Sequence, residues 1–134
     1  MKTVAVSGYF DPIHIGHIEY LEQASLLGDK LIVIVNNDKQ CVIKKGRPFM
    51  SEEDRLKIVS SLRVVDEAFL SIDEDKSVCK SLEKIKPNVF ANGGDRTVGE
   101  IPETSVMEKY NIQMVDGLGD KIRSSSSLTG LKQK

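Results

Sequence analysis

The sequence predicts an α/β fold: a doubly wound parallel sheet of five strands, in a single domain over residues 1–134. Three observations point there. Leu31-Ile32-Val33-Ile34-Val35 is an unbroken aliphatic run, the pattern of a strand covered on both faces of a parallel sheet. Short β-branched or apolar runs alternate along the chain with segments of helical periodicity, the pattern of right-handed crossovers. The residues of unusual chemistry fall just after the predicted strands, at the sheet edge where such folds bind ligands.

Each element has its own reason. Thr3 to Val6 is β-branched and ends at Ser7-Gly8, giving the first strand. Ile18, Leu21, Ala24 and Leu27 recur near the 3.6 period, and Gly28 is placed to stop that helix. The aliphatic run 31–35 is the second strand, ended by Asn36-Asn37-Asp38. A loop of about a dozen residues then carries Lys44-Lys45-Gly46-Arg47-Pro48. Ser51-Glu52-Glu53-Asp54 is a helix start, with a serine cap and acids in the first turn. Glu67 to Ser71 is a weaker strand near a sheet edge, and Ser77 to Ile85 a helix closed by Lys86-Pro87. Asn88 to Asn92 is the fourth strand and Glu103 to Lys109 a helix, with Pro102 well placed at its start. Ile112 to Val115 is the fifth strand, 116–120 a loop, and Ser124 to Leu128 the opening of a short terminal helix.

Composition narrows the class. Hydrophobic residues make up 40 % and charged residues 29 %, as in soluble globular chains. A net charge of -1 gives no basic footprint for duplex nucleic acid. No apolar run approaches the roughly 20 residues that span a bilayer, so no membrane insertion is expected. Cys41 and Cys79 lie far apart and outside any C-x-x-C pair, which fits a reducing cytoplasm and argues against a zinc or disulfide framework. Cys79 is expected to pack against the core; Cys41 is compatible with a partly exposed thiol.

The chemistry concentrates in Gly8-Tyr9-Phe10-Asp11-Pro12-Ile13-His14-Ile15-Gly16-His17, which holds both histidines of the chain. At helical spacing the two imidazoles share one face of a helix start, where ring N–H groups, backbone N–H groups and the dipole suit a phosphate. Gly8 leaves room for a ligand at the end of the first strand. Asp11 either caps the first helix or orients a histidine or a metal-bound water. Lys44, Lys45 and Arg47 read either as a solvated charge run or as a cationic lid over a triphosphate. Arg55 either reaches the same anion or pairs with Glu52 on its own helix. Gly93-Gly94-Asp95 brings backbone near a ligand and offers a carboxylate to ribose, or is a glycine turn with a capping aspartate. Ser124, Ser125 and Ser126, beside Arg123, form an anion seat or a capped polar tail.

The run from Gly8 to His17 resembles the G-x-F-D-x-x-H-x-G-H signature of the cytidylyltransferase-like nucleotidyltransferases. That group includes glycerol-3-phosphate cytidylyltransferase and heptose-phosphate adenylyltransferase. The resemblance continues through Arg47-Pro48, Ser51 to Arg55, Asn92-Gly93-Gly94-Asp95 and Ile122 to Ser126. It implies a Rossmann-like fold and transfer of a nucleotidyl group from an NTP to a phosphorylated small molecule by direct attack, releasing pyrophosphate. His14, His17 and Lys44 would then be catalytic. Gly8, Tyr9, Phe10, Asp11, Gly16, Gly94, Asp95, Arg123, Ser124, Ser125 and Ser126 would surround the nucleotide, and Lys45, Arg47 and Arg55 would contact phosphate or acceptor. Magnesium would be held mainly by the triphosphate. The resemblance also favours a homodimer. Asn92-Gly93-Gly94-Asp95 is closer to the K-G-G-D stretch of heptose-phosphate adenylyltransferases, which inclines the reading to ATP and a sugar phosphate. Gly119 to Ser126 keeps the hydroxyls but not the leading arginine-threonine usual in cytidylyltransferases. The alternatives are a cytidylyltransferase acting on a polyol or amino-alcohol phosphate, and a nucleotide-binding regulatory module without turnover. A receiver-type domain is excluded, because Ser7-Gly8-Tyr9 stands where paired acids would be needed.

Overall fold

The computed structural model describes residues 1–75, 77–93 and 103–118. The strands are β1 (Thr3–Gly8), β2 (Lys30–Val35), β3 (Glu67–Leu70), β4 (Val89–Gly93) and β5 (Gln113–Leu118). The helices are α1 (Ile15–Ser25), α2 (Asp38–Lys45), α3 (Glu52–Ser60), α4 (Cys79–Ile85) and α5 (Thr104–Lys109). All strand pairings are parallel, in the order β3-β2-β1-β4-β5. This is the Rossmann-like, doubly wound sheet that the sequence pattern predicts.

Alternation along each strand builds two cores. Val4 and Val6 of β1, Leu31, Val33 and Val35 of β2, and Val89 and Ala91 of β4 point to one face, against Leu21 and Ala24 of α1 and Val59 of α3. Ala5, Ile34 and Phe90 point to the other, against Leu82 of α4 and Val106 and Met107 of α5. Because successive strand residues face opposite sides, burying both faces demands the continuous aliphatic run of β2. Strand order reverses at β1, so the crevice for a ligand opens between the carboxyl ends of β1 and β4. Tyr20 ties α1 to β4, its hydroxyl donating to the Ala91 carbonyl at 3.0 Å.

Four expectations need correction. Residues 38–45 are a helix rather than loop: Asn37 caps α2 by accepting from the Gln40 N–H, and the Gln40 side chain accepts from the Asn37 N–H in return. This Asn-x-x-Gln box satisfies two helix-end donors, in a segment whose few apolar residues hide its periodicity. Cys41 is consequently fully buried rather than partly exposed. Gly28 is not the helix stop, since α1 ends at Ser25 and is capped by Leu26. A Cβ at residue 28 would stand 2.8 Å from the Lys2 carbonyl oxygen, so glycine is there to let the chain pass close beneath β1. Finally, β5 runs on to Leu118, past a register shift opposite Ala91 and Gly93, where a loop was expected from residue 116. Cys79 does pack against the second core, and β3 is an edge strand.

Candidate active site

The turn after β1 is shaped by the ring of Phe10. Phe10 adopts φ +52, a conformation most side chains avoid, and its ring is only 1 % exposed. It lies over Gly8, where a Cβ would meet Phe10 Cζ at 2.8 Å. The space at residue 8 is thus filled by the protein's own aromatic ring, not left open for a ligand. From there Phe10 packs edge-on against the His17 imidazole, with centroids 5.0 Å apart.

His14 and His17 begin α1. His14 is its N-cap: Nδ1 accepts from the Gly16 N–H at 3.1 Å, and His17 Nδ1 accepts from the His14 N–H at 3.1 Å. A ring nitrogen that accepts carries no proton, so each neutral imidazole holds its proton on Nε2, on the side away from the helix backbone. The rings stack with centroids 3.9 Å apart and a tilt of 31°. Burial, and secondarily the neighbouring His14, push the His17 pKa down from 6.5 to about 4. His17 is therefore a neutral N–H donor at physiological pH. No acid stands in the first turn of α1 to oppose its dipole. Two Nε2–H donors on such a helix end at the switch point have the chemistry to receive phosphate oxygens.

Gly16 completes this geometry. A Cβ on it would lie 3.0 Å from His14 Cε1 and 3.1 Å from Nδ1, displacing the ring from its cap position. We expect Gly16→Ala to gain helix propensity and keep its melting temperature within a few degrees, yet lose roughly tenfold or more in turnover. Steady-state kinetics beside a thermal melt would show it; unchanged turnover would mean that the ring position is unimportant.

The depressed pKa of His17 also fixes a pH dependence. The unfolded chain binds a proton at this site near pH 6.5 and the folded chain only near 4, so the contribution is present above 6.5 and lost as pH falls to about 4. Urea midpoints measured from pH 7 down to 4 should fall more steeply for wild type than for His17→Gln. Parallel curves would contradict this.

Asp11 does not cap the helix, a role taken by His14. Its Oδ2 accepts from the Phe49 N–H at 2.7 Å and its Oδ1 from the Met50 N–H at 2.6 Å. It clamps the 46–51 segment onto the histidine turn. Arg55 performs a second clamp from inside. It is 1 % exposed and donates from Nε to the Met50 carbonyl, from Nη1 to the carbonyls of Tyr9 and Asn36, and from Nη2 to Asp38 Oδ1 at 2.7 Å. Its ion pair is with Asp38, not with Glu52; Glu52 Oε1 instead accepts from the Asp38 N–H. A guanidinium engaged four times by protein acceptors serves as an internal strut rather than a phosphate contact.

That strut places α2, and α2 places the cations. Lys44, in its last turn, sets Nζ 4.4 Å from the centroid of the Tyr9 ring. Arg47 is exposed just beyond Gly46, whose φ of +92 turns the chain sharply. The Lys45 side chain, Gly94, Asp95, Arg123, Ser124, Ser125 and Ser126 lie outside the described residues. α2 is also held from its other side. Asn37 Nδ2 donates to the carbonyls of Ser71 and Asp73, and Gln40 Nε2 to those of Asp75 and Ser77. The capping-box spacing of Asn37 and Gln40 was the available signal.

Among the described residues no group of three or more His, Cys, Asp or Glu is placed to hold a metal ion. The same residues include no helix long and apolar enough to cross a membrane.

Comparison with known proteins identifies the family. The family described as Cytidylyltransferase-like matches residues 5–128. An FAD synthase of Ferroglobus placidus is 48 % identical over 100 residues, covering 75 % of this chain and 64 % of the relative, so the chain spans about two-thirds of that protein's length. The bifunctional protein HldE of Pseudomonas paraeruginosa is 35 % identical over 136 residues, covering 99 % of this chain and 28 % of the relative. Among solved structures, a lipopolysaccharide core biosynthesis protein of Thermoplasma volcanium superposes with a TM-score of 0.74 at 32 % identity, covering 87 % of this chain and 95 % of that one.

Proposed function

The chain belongs to the cytidylyltransferase-like family, and on that premise we propose that it transfers AMP from ATP to a phosphomonoester, releasing pyrophosphate. One observation supports this above the others: the His14 and His17 rings present Nε2–H donors at the unopposed N-terminus of α1, at the switch point of the sheet. An acceptor phosphate oxygen forms a bond to the α-phosphorus while the bond from that phosphorus to the bridging oxygen breaks. Pyrophosphate leaves with the electron pair, and no bond to protein forms. The two imidazoles donate to the α-phosphate oxygens as charge crowds there, without giving up their protons. Lys44, held beside Tyr9, neutralises the departing pyrophosphate. ATP enters as its magnesium complex, the metal belonging to the substrate. Asp95 and the serines 124–126 are assigned to the nucleotide by the resemblance in sequence.

FMN is the acceptor to test first, because FAD synthases from several archaea are 33–48 % identical to this chain. A sugar phosphate is the second reading, favoured by Asn92-Gly93-Gly94-Asp95 and by the relative that aligns with 99 % of this chain. A homodimer and a cytoplasmic setting complete the proposal; Cys41 and Cys79 stand outside any C-x-x-C pair, in keeping with the latter. The test is a matrix of ATP, CTP, GTP and UTP against FMN, sugar phosphates, glycerol phosphate and phosphoethanolamine, read by pyrophosphate release. Release with ATP and FMN is expected. Release with CTP and a polyol or amino-alcohol phosphate would transfer the assignment to cytidylyl chemistry. ATP binding without release in any combination would favour a regulatory module.

A further inference from the structure

We propose that Tyr9 is a positioning residue: its ring face holds the Lys44 ammonium in place for the departing pyrophosphate, and it serves the reaction through that lysine rather than by touching the nucleotide. The inference rests on the adenylyl-transfer reading and deepens it. Lys44 stands in the last turn of α2, with Nζ 4.4 Å from the centre of the Tyr9 ring. That is well within the roughly 6 Å over which a ring face attracts a cation. Lys44 is exposed, and a lysine left in water spreads over many rotamers. Among the described residues no carboxylate pairs with it. The ring is therefore the partner that orders the side chain, and the charge is left for a ligand.

One buried group fixes both partners. Arg55 Nη1 holds the Tyr9 carbonyl at 2.9 Å, and its Nη2 holds Asp38, the first residue of α2, at 2.7 Å. A rise of roughly 9 Å along the helix carries the chain from Asp38 to Lys44. The helix thus leaves the turn at Arg55 and returns to it at Tyr9. Tyr9 itself stands between Gly8, which ends β1, and Phe10, whose ring meets His17 at 5.0 Å. The contact ties the cation to the histidine turn. The kind of partner matters as well. A carboxylate at residue 9 would grip the ammonium but offset its charge and repel phosphate. A ring face orients the ammonium, leaves its charge whole, and yields it to the stronger charge-assisted bonds of phosphate oxygens. A cation already in place when charge develops on the leaving group needs no reorganisation at that moment.

The experiment is a double-mutant cycle on Tyr9→Leu and Lys44→Ala, with Tyr9→Phe as the conservative rescue. It is read by calorimetric binding of magnesium pyrophosphate and by single-turnover rates with ATP and the best acceptor of the substrate matrix. Tyr9→Leu should weaken pyrophosphate binding and slow turnover roughly threefold or more, with affinity for the acceptor within about twofold, and Tyr9→Phe should restore both. In the Lys44→Ala background, Tyr9→Leu should change neither any further. Equal losses in both backgrounds overturn the proposal, because Tyr9 would then meet the ligand directly. Wild-type behaviour of Tyr9→Leu or of Lys44→Ala overturns it too, as does a loss that Tyr9→Phe fails to restore; adenylyl transfer stands in each case. A measurement on wild type needs no variant to fold. The Lys44 ε-methylene protons should be shifted upfield by the ring and should move when magnesium pyrophosphate is added. An unshifted or unmoved resonance overturns the proposal. Neither transfer nor pyrophosphate binding by wild type marks failure of the functional reading itself, and the proposal falls with it.

Discussion

Replacing His14 with asparagine leaves the protein folded and lowers turnover by roughly 10²-fold or more. His14 has two separable roles. Its Nδ1 caps α1 by accepting from the Gly16 N–H, and in the proposed mechanism its Nε2–H is the donor offered to the α-phosphate. Asparagine is among the best N-caps, so His14→Asn keeps the first role and removes the second. His14→Ala removes both and adds a cap loss of about 1 kcal/mol. Thermal melts and single-turnover rates on the pair of variants separate these contributions. Equal stability of the two would show that the cap is unimportant, and wild-type rates in both would remove His14 from the chemistry.

The largest loss of stability is expected at Arg55. Arg55→Met strands the Tyr9, Asn36 and Met50 carbonyls and leaves Asp38 without its partner, in a place where the guanidinium itself is 1 % exposed. Removing one partner of a buried, multiply hydrogen-bonded charge costs about 3–5 kcal/mol. Arg55→Lys rescues little, because an ammonium has three donors on one atom and cannot span acceptors that the fork reaches from three nitrogens. Urea unfolding of Arg55→Met, Asp38→Asn and the double variant measures the coupling. A loss below about 1 kcal/mol in Arg55→Met would contradict the strut assignment. Turnover should fall as well, since the strut joins α2, which carries Lys44, to the turn that carries the histidines.

The periodicities of 31–35, 18–27 and 51–62 made the sheet and most helices legible, because burial on known faces is written directly into residue spacing. Helix α2 was not, since its stability comes from a side-chain box and from bonds to the 71–77 segment that no local pattern reports. The histidine pair is legible as a candidate phosphate site, but its tautomers are not. Which ring nitrogen faces outward depends on backbone N–H groups that only the folded turn brings to Nδ1. Gly8 and Arg55 show the opposite failure. Each carries the residue type expected at a ligand contact, and each is used internally, one beneath Phe10 and the other among three carbonyls.

The central claim is that bond exchange occurs at the α-phosphorus, directly between ATP and the acceptor. The measurement that tests it most directly uses ATP labelled at the α-phosphate, incubated with the protein and either FMN or a sugar phosphate. The expected result is label in the adenylylated acceptor, unlabelled pyrophosphate in equal amount, and no label retained on the protein. Label remaining in ADP with release of orthophosphate, or label bound covalently to the chain, would contradict it.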